Sequence, residues 1–158
     1  MIIFDHPRGG RFNFRVAGVA FANDRVLLQR VPEIDFWFLP GGRVEMLESA
    51  AEALEREMRE ELDAQVSVGR LLWVAENFFS MENRDFHELG LYFAMDVPAR
   101  VVEAEEFAGF DPDVELEMRW FDLRNLPSVR PGFLREALLH PPESTAHIVF
   151  HDTPVPLT

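Results

Sequence analysis

The chain has 158 residues, of which 47% are hydrophobic and 27% charged, and this ordinary globular composition argues against wholesale disorder and against a fibrous repeat. Acidic residues outnumber basic ones by 28 to 15, and the formal charge of −13 disfavours binding to polynucleotide phosphates or anionic lipid. The chain contains neither cysteine nor lysine, which excludes thiol nucleophiles, disulfides, thiolate zinc sites and Schiff-base chemistry.

The length predicts a single domain over residues 1–158, because no linker or internal repeat divides the chain. The proline-bearing end, residues 142–158, is expected to be loosely packed. The first ten residues lack the apolar stretch of a secretory signal, and no run approaches the ~20 apolar residues of a membrane span. We therefore expect a cytoplasmic protein without membrane association.

The first half of the chain predicts a hairpin followed by a glycine turn. Segments 12–21 and 26–31 are apolar and β-branched, and the turn-like residues 22–25 separate them. A short apolar piece at 36–39 ends at Pro40-Gly41-Gly42, the sharpest turn signal in the sequence.

The second half predicts further strands and one helix. Strands are expected at 66–77, 86–97, 116–123 and 147–151. A helix is expected to start near Pro131, whose fixed φ suits the first helical position, and to run to the prolines that follow residue 140.

The most informative segment is a helix that starts at residue 49. Ser49 and Glu52 have the spacing of a capping box. An apolar face is predicted from residues three or four apart, namely Leu47, Ala51, Leu54, Met58 and Leu62.

Beside that face, Glu57, Glu60 and Glu61 share one stripe of the helix. Like charges at this spacing destabilise a helix, more so when they are partly buried. A divalent cation such as Mg²⁺ would resolve the conflict, because it takes oxygen ligands. A solvated acidic face is the commoner explanation of a charge run and is the alternative.

The surrounding motif favours the metal site. Gly42, five residues, Glu48, seven residues and then REMREE at 56–61 resemble the Nudix hydrolase signature, Gx5Ex7REUxEExGU, in which U is a bulky aliphatic residue. The match spans residues 42–64 and departs from the signature at Asp63, where glycine is expected, and at Ala64, where an aliphatic residue is expected. Aspartate visits the left-handed conformation more readily than most residues, so the helix end should survive.

The resemblance implies an α/β fold of MutT-like type, an α/β/α sandwich with a mixed sheet between helices. It also implies hydrolysis of a nucleoside diphosphate linked to another group, with Mg²⁺ or Mn²⁺ as cofactor. The implied metal ligands are Glu57, Glu60, Glu61 and the backbone carbonyl of Gly41. By the same resemblance, Arg56 orients the carboxylates, Gly42 and Glu48 are structural, and Arg30 contacts substrate phosphate.

The general base is left open by the sequence. The family uses either a signature glutamate, for which Glu57 is the first choice, or an acid on a later loop. Glu115 is the preferred loop residue because it lies shortly before the strand that contains Trp120. The other loop candidates are Glu103, Glu105, Glu106, Asp113 and Glu117.

A second hypothesis is a nucleotide-binding or regulatory module that keeps this fold and has little turnover. In both cases the expected partner is a small nucleotide-type molecule, with no polynucleotide. Because family members commonly form homodimers, a homodimer is also an expectation. Phe36, Trp37, Phe78 and Phe79 could stack on a base, although aromatic residues in strands more often belong to the core.

Overall fold

The computed structural model describes residues 1–152, which form two β-sheets and three helices. The strands are β1 (Ile3–Asp5), β2 (Arg11–Val19), β3 (Phe21–Ala22), β4 (Arg25–Arg30), β5 (Gly41–Arg43), β6 (Ser67–Met81), β7 (Arg84–Asp96), β8 (Glu106–Phe110), β9 (Glu115–Asp122) and β10 (Ala146–His151). The helices are α1 (Ala50–Leu62), α2 (Ala99–Glu103) and α3 (Leu134–Ala137). The short elements β1, β5, β8 and α2 were not predicted from the sequence.

The first sheet is mixed. Its strand order is β1-β2-β7-β6-β10, and β5 pairs with β2 outside this path. The pairs β2 with β7 and β10 with β6 are parallel, whereas β6 and β7 form a long antiparallel hairpin. Glu82 and Asn83 turn this hairpin with φ of 52° and 60°, the backbone typical of a two-residue hairpin loop.

The second sheet, β3-β4-β9-β8, is antiparallel, and it corrects the predicted N-terminal hairpin. Strand β2 pairs in the first sheet, and only Phe21–Ala22 pairs with β4. Asn23 and Asp24 make the turn with positive φ. The prediction of one hairpin over 12–21 and 26–31 is wrong because the chain leaves the first sheet and joins the second near Ala20.

Successive residues of β2 face two different cores. Val16 packs in the core covered by α1 and so does Ala20, the residue after β2, whereas Ala17 and Val19 belong to the core covered by α3. This alternation follows from the two-residue period of a strand. Helices therefore lie on both sides of a mixed sheet, which confirms the predicted α/β fold, and a second sheet completes the packing.

The predicted C-terminal helix is shorter than expected. It is flanked by tight turns in which the Leu134 amide donates to the Pro131 carbonyl and the Leu139 amide donates to the Glu136 carbonyl. Three-residue spacing of this kind is typical of 3₁₀ turns, so only Leu134–Ala137 is α-helical.

The described chain ends in the strand predicted at residues 147–151. Strand β10 pairs in parallel with β6 from Ala146 to His151, and the expected loose packing of residues 142–158 stays a prediction. Residues 153–158 lie outside the described part of the chain. Within residues 1–152, no helix combines the length and apolar character needed to span a membrane.

Candidate active site

Helix α1 begins at the predicted capping box. The Ser49 hydroxyl accepts from the Glu52 amide at 3.3 Å, and the Glu52 carboxylate accepts from the Ser49 amide at 2.8 Å. At the other end, Asp63 has φ 48° and ψ 40°, and its amide donates to the Met58 carbonyl. Asp63 therefore adopts the left-handed conformation that the glycine of the signature would supply.

The buried face of α1 packs on the first core. Its buried apolar residues are Ala53, Leu54, Met58 and Leu62. The prediction is wrong for Leu47, which is 98% exposed and has φ 66°. Leu47 precedes the helix cap, so the helical periodicity does not reach it.

Strand β5 lies directly against Glu57. A Cβ on Gly42 would fall 2.2 Å from Glu57 Cδ and within 2.5 Å of both carboxylate oxygens. A Cβ on Gly41 would lie 2.1 Å from the Val16 carbonyl oxygen, and Gly41 has φ +155°. The two glycines thus allow β5 to fit between β2 and the Glu57 carboxylate.

Arg56 forms hydrogen bonds that connect β5 to the acidic stripe. Its Nε and Nη2 donate to the two oxygens of Glu48 at 2.8 and 3.0 Å. Its Nη1 donates to Glu57 Oε1 at 2.8 Å, and its Nη2 donates to the Arg43 carbonyl at 3.2 Å. The hydrogen bonds from Arg56 hold the pKa of Glu48 below its usual value. One planar guanidinium therefore fixes three elements of the motif, as a lysine could not.

Glu61 is the most deeply buried acid of the stripe. It is 6% exposed, and its Oε2 has no hydrogen-bond partner among the described residues. Burial, together with the neighbouring charge of Glu57, raises the pKa of Glu61 to about 8, while the charge of Arg15 opposes the shift. An unpaired carboxylate in such a place costs free energy when ionised, unless a cation compensates it.

Glu60 completes the stripe from the solvent side. Its side chain is 58% exposed, and it lies 3.4 Å from Arg56 Nη1. Within residues 1–152, no three acidic or histidine side chains are gathered closely enough to hold a metal ion. The Arg56 guanidinium supplies one positive charge to the stripe through Glu57 and Glu60.

Arg30 forms no hydrogen bond or ion pair with the acidic stripe. Its Nε donates to Glu117 Oε2 at 2.8 Å, and its guanidinium lies 4.6 Å from the centre of the Trp37 ring. Its donors are therefore partly engaged within β4, β9 and the segment before β5.

The loop acids differ in their exposure and in their charge partners. Glu115 is exposed at the start of β9 and pairs with Phe110 of β8. Asp111 was not predicted, yet its charge contributes to the raised pKa of Glu61. Glu117 and Glu106 are ion-paired with Arg119, and the others, Glu103, Glu105 and Asp113, are exposed.

Two arginines that the sequence did not single out lie beside the motif. Arg15 of β2 and Arg43 of β5 are register partners on antiparallel strands, so their side chains lie on the same face. Burial and the charge of Arg15 lower the pKa of Arg43. Neither arginine forms an ion pair within residues 1–152. The sequence did contain one signal for Arg43, namely its position directly after Gly42 of the signature.

Comparison with known proteins agrees with the motif. The NUDIX domain family matches residues 12–139. Comparison with curated proteins gave no significant match.

Several solved structures share the fold. The MutT protein from Bacillus halodurans is 20% identical with a TM-score of 0.62, and the alignment covers 90% of this chain and 91% of that one. An ADP-ribose pyrophosphatase from Streptococcus suis is 16% identical with a TM-score of 0.55, covering 87% and 98%. A UDP-X diphosphatase is 20% identical with a TM-score of 0.57, covering 85% and 66%.

The family match spans most of the chain and includes the whole signature segment, from the glycines of β5 to the end of α1. The chain belongs to the NUDIX domain family and is a hydrolase that acts on pyrophosphate bonds.

Proposed function

We propose that the protein is a divalent-cation-dependent pyrophosphohydrolase that cleaves a nucleoside diphosphate linked to another group, by attack of water on phosphorus. The observation that carries this proposal is the stripe of Glu57, Glu60 and Glu61 on α1, held against β5 by Arg56. The names of two similar structures, an ADP-ribose pyrophosphatase and a UDP-X diphosphatase, support a nucleoside diphosphate as the common part of the substrate.

The residues present suit a hard divalent cation. Carboxylate oxygens of Glu57, Glu60 and Glu61, with the carbonyl of Gly41, are the donors that Mg²⁺ and Mn²⁺ prefer. The unpartnered Oε2 of Glu61 and the close fit of Glu57 over Gly42 both support a cation here. When bound, it would lower the pKa of a water molecule and offset charge on the pyrophosphate oxygens.

Glu57 is our choice for the general base. Arg56 Nη1 holds its Oε1, whereas its Oε2 accepts no hydrogen bond from any described residue. A carboxylate fixed through one oxygen can accept the proton of the attacking water on the other. Glu115 is the second candidate, since its exposed position leaves its carboxylate available.

Arg15 and Arg43 are assigned to the substrate phosphates in preference to Arg30. Two unpaired guanidiniums in register repel each other, and an anion between them would remove the repulsion. Guanidinium groups also match phosphate geometry through paired hydrogen bonds. Arg30, in contrast, is already ion-paired with Glu117.

The catalytic assignment is tested by hydrolysis of nucleoside triphosphates, nucleotide sugars, dinucleotides and ADP-ribose, with Mg²⁺ or Mn²⁺ and with chelator. We expect Glu57→Gln to lower kcat by about 10²–10⁴-fold, the usual contribution of a general base. Glu55→Gln is the matched control, because Glu55 is exposed on the same helix. No hydrolysis of any substrate above the Glu57→Gln background would refute the proposal. In ¹⁸O water, the labelled product identifies the phosphorus attacked.

The metal assignment has a separate test. Calorimetric titration with Mg²⁺ should give at least tenfold weaker binding for Glu60→Gln and for Glu61→Gln than for wild type and Glu55→Gln. Equal affinities in all four proteins would contradict the proposed ligands.

A further inference from the structure

The extended segment before β5 presents two aromatic rings to a cleft beside the first sheet. Phe38 pairs with Gln29, and Trp37 pairs with Val129, so the backbone of this segment is strand-like. Successive side chains of such a segment point to opposite sides. Trp37, also considered from the sequence, is buried in the second core, whereas Phe36 and Phe38 line a cleft of about 260 Å³.

Each of these two rings lies against a guanidinium that also lines the cleft. The guanidinium carbon of Arg130 is 5.2 Å from the centre of the Phe36 ring, and that of Arg15 is 5.6 Å from the centre of the Phe38 ring. Both distances lie within the ~6 Å reach of a cation–π interaction. The two rings are 6.4 Å apart and tilted by 59°, an ordinary arrangement for an aromatic pair. These four side chains form a continuous series of contacts, which we call the aromatic link.

The outer end of the aromatic link is fixed by a partly buried ion pair. Arg130 Nη1 donates to Asp152 Oδ2 at 2.6 Å, and the two side chains are 35% and 19% exposed. The Asp152 amide donates to the Phe78 carbonyl of β6 at 2.8 Å, and the Arg130 amide donates to the Trp37 carbonyl at 2.9 Å. Hydrogen bonds between charged groups are among the stronger ones in proteins. Arg130 is therefore held between β6 and the segment before β5.

The inner end of the aromatic link is the Arg15 side chain. Its Nη2 donates to the Leu39 carbonyl at 3.1 Å, and within residues 1–152 it forms no ion pair. Arginine has one of the largest side-chain entropies, so a side chain with few polar partners depends on packing for its orientation. The Phe38 ring supplies that packing for the Arg15 guanidinium.

We infer that Arg130 is a positioning residue for Arg15 and acts through the two rings of the aromatic link. The inference rests on the proposed function, in which Arg15 contacts the substrate phosphates. A guanidinium that is already stacked in one orientation loses less freedom when it binds an anion. The charge of Arg130 is balanced by Asp152, so Arg130 affects the ligand through the orientation of Arg15.

Binding of α,β-methylene-ADP in the presence of Mg²⁺ tests the inference without turnover, because a carbon replaces the bridging oxygen of its pyrophosphate. Calorimetry on the full chain should show about fivefold weaker binding for Arg130→Gln, a typical cost of immobilising one long side chain. Arg130→Lys keeps a charge over the Phe36 ring and beside Asp152, so its affinity should be within about twofold of wild type. Arg11→Gln is the matched control, because Arg11 forms a comparable ion pair with Asp5 and lies outside this cleft.

A double-mutant cycle separates positioning from direct contact with the ligand. Arg15→Gln alone should weaken binding about tenfold or more, because it removes hydrogen bonds between charged groups. In that background Arg130→Gln should change the affinity by less than about twofold, since the residue on which Arg130 acts is gone. Methylenediphosphonate, which lacks a nucleoside, should show the same effect of Arg130→Gln on wild type. Additive losses in the double mutant, or an effect confined to the nucleotide, would overturn the inference.

Stability and turnover complete the test. A lower urea midpoint for Arg130→Gln with unchanged affinity for both probes would show that the ion pair only stabilises the fold, and would overturn the inference. Absence of binding of either probe to wild type would overturn it as well. If Arg130→Gln weakens binding as expected but no substrate is hydrolysed, the positioning role is upheld and the proposed function is refuted. Hydrolysis by wild type, with equal affinities in the Arg130 variants, would have the opposite meaning.

Discussion

The acidic stripe of α1 and the row of Asn13, Glu88 and Asn77 across β2, β7 and β6 each bury a glutamate, but they surround it differently. Glu61 lies next to Glu57 and Glu60 and keeps one buried oxygen without a partner. Glu88 lies between two asparagines and receives a short hydrogen bond from one of them. The first environment leaves negative charge uncompensated, whereas in the second the Asn13 amide satisfies one carboxylate oxygen. The neighbours of a buried carboxylate therefore decide whether it lacks a balancing charge.

The largest expected effect that tests this contrast is on the free energy of unfolding, measured in the presence of a chelator. The pKa of Glu61 is about 8 in the folded chain against 4.5 ordinarily, so the folded state retains a proton that the unfolded state loses between these pH values. Wild-type stability should therefore fall as pH rises from about 4.5 to 8. Glu61→Gln removes this titration, and it should be more stable than wild type by roughly 3–4 kcal/mol at pH 8 and by little at pH 4.5.

Urea unfolding of both proteins across this pH range measures the difference. Glu88→Gln is the comparison variant, because it keeps an oxygen for Asn13 and loses only the charge assistance, at a cost of about 1 kcal/mol. A pH-independent difference between wild type and Glu61→Gln would contradict the account of the stripe.

The next effect concerns the fit between β5 and α1. Gly42→Ala places a methyl group on the Glu57 carboxylate and must displace it. A shift of about 1 Å at a catalytic group can cost 10²-fold, so we expect kcat/KM to fall by about that factor. Gly69→Ala, in β6 and away from the stripe, meets its nearest atom at 3.1 Å and should retain activity to within a few fold. Full activity of Gly42→Ala would mean that the position of Glu57 is not critical.

A smaller loss is expected when the guanidinium of Arg56 is replaced. Arg56→Lys keeps the charge but cannot donate to both oxygens of Glu48 and also to Glu57. We expect about a 30-fold loss of kcat/KM with a smaller change in KM, within the range usual for residues that orient metal ligands. Arg59→Lys, exposed on the same helix, is the control. If the two lysine variants were equally active, the orienting role of Arg56 would be excluded.

The smallest effect is at the end of α1. Asp63 has the left-handed backbone that glycine adopts without steric cost. Asp63→Gly should therefore change the free energy of unfolding by at most about 1 kcal/mol, in the stabilising direction, and leave Mg²⁺ affinity unchanged. Altered Mg²⁺ affinity would show that the departure from the signature affects the metal site and not only the helix end.

Much of the acidic stripe could be predicted from the sequence because its parts lie within one helix. Helical spacing places Glu57, Glu60 and Glu61 on one stripe, and the capping box at Ser49 fixes where that helix begins. The same spacing failed for Leu47, which precedes the cap. Local rules were reliable only inside the element to which they apply.

The row of buried polar side chains around Glu88 could not be predicted in this way. Asn13, Asn77 and Glu88 come from three strands, and only the register of β2, β7 and β6 brings them together. Register depends on bulges and turn geometry, so a shift of one residue would send any of them to the opposite face. The predicted hairpin over 12–21 and 26–31 failed for the same reason, because strand patterns do not specify which strands pair.

Anomalous diffraction at the manganese edge from crystals soaked in Mn²⁺ locates the cation relative to the acidic stripe. We expect one strong peak bounded by the carboxylates of Glu57, Glu60 and Glu61 and by the Gly41 carbonyl, with a much weaker peak in Glu61→Gln crystals. A fully occupied Mn²⁺ ion elsewhere, with these side chains unchanged, would contradict it.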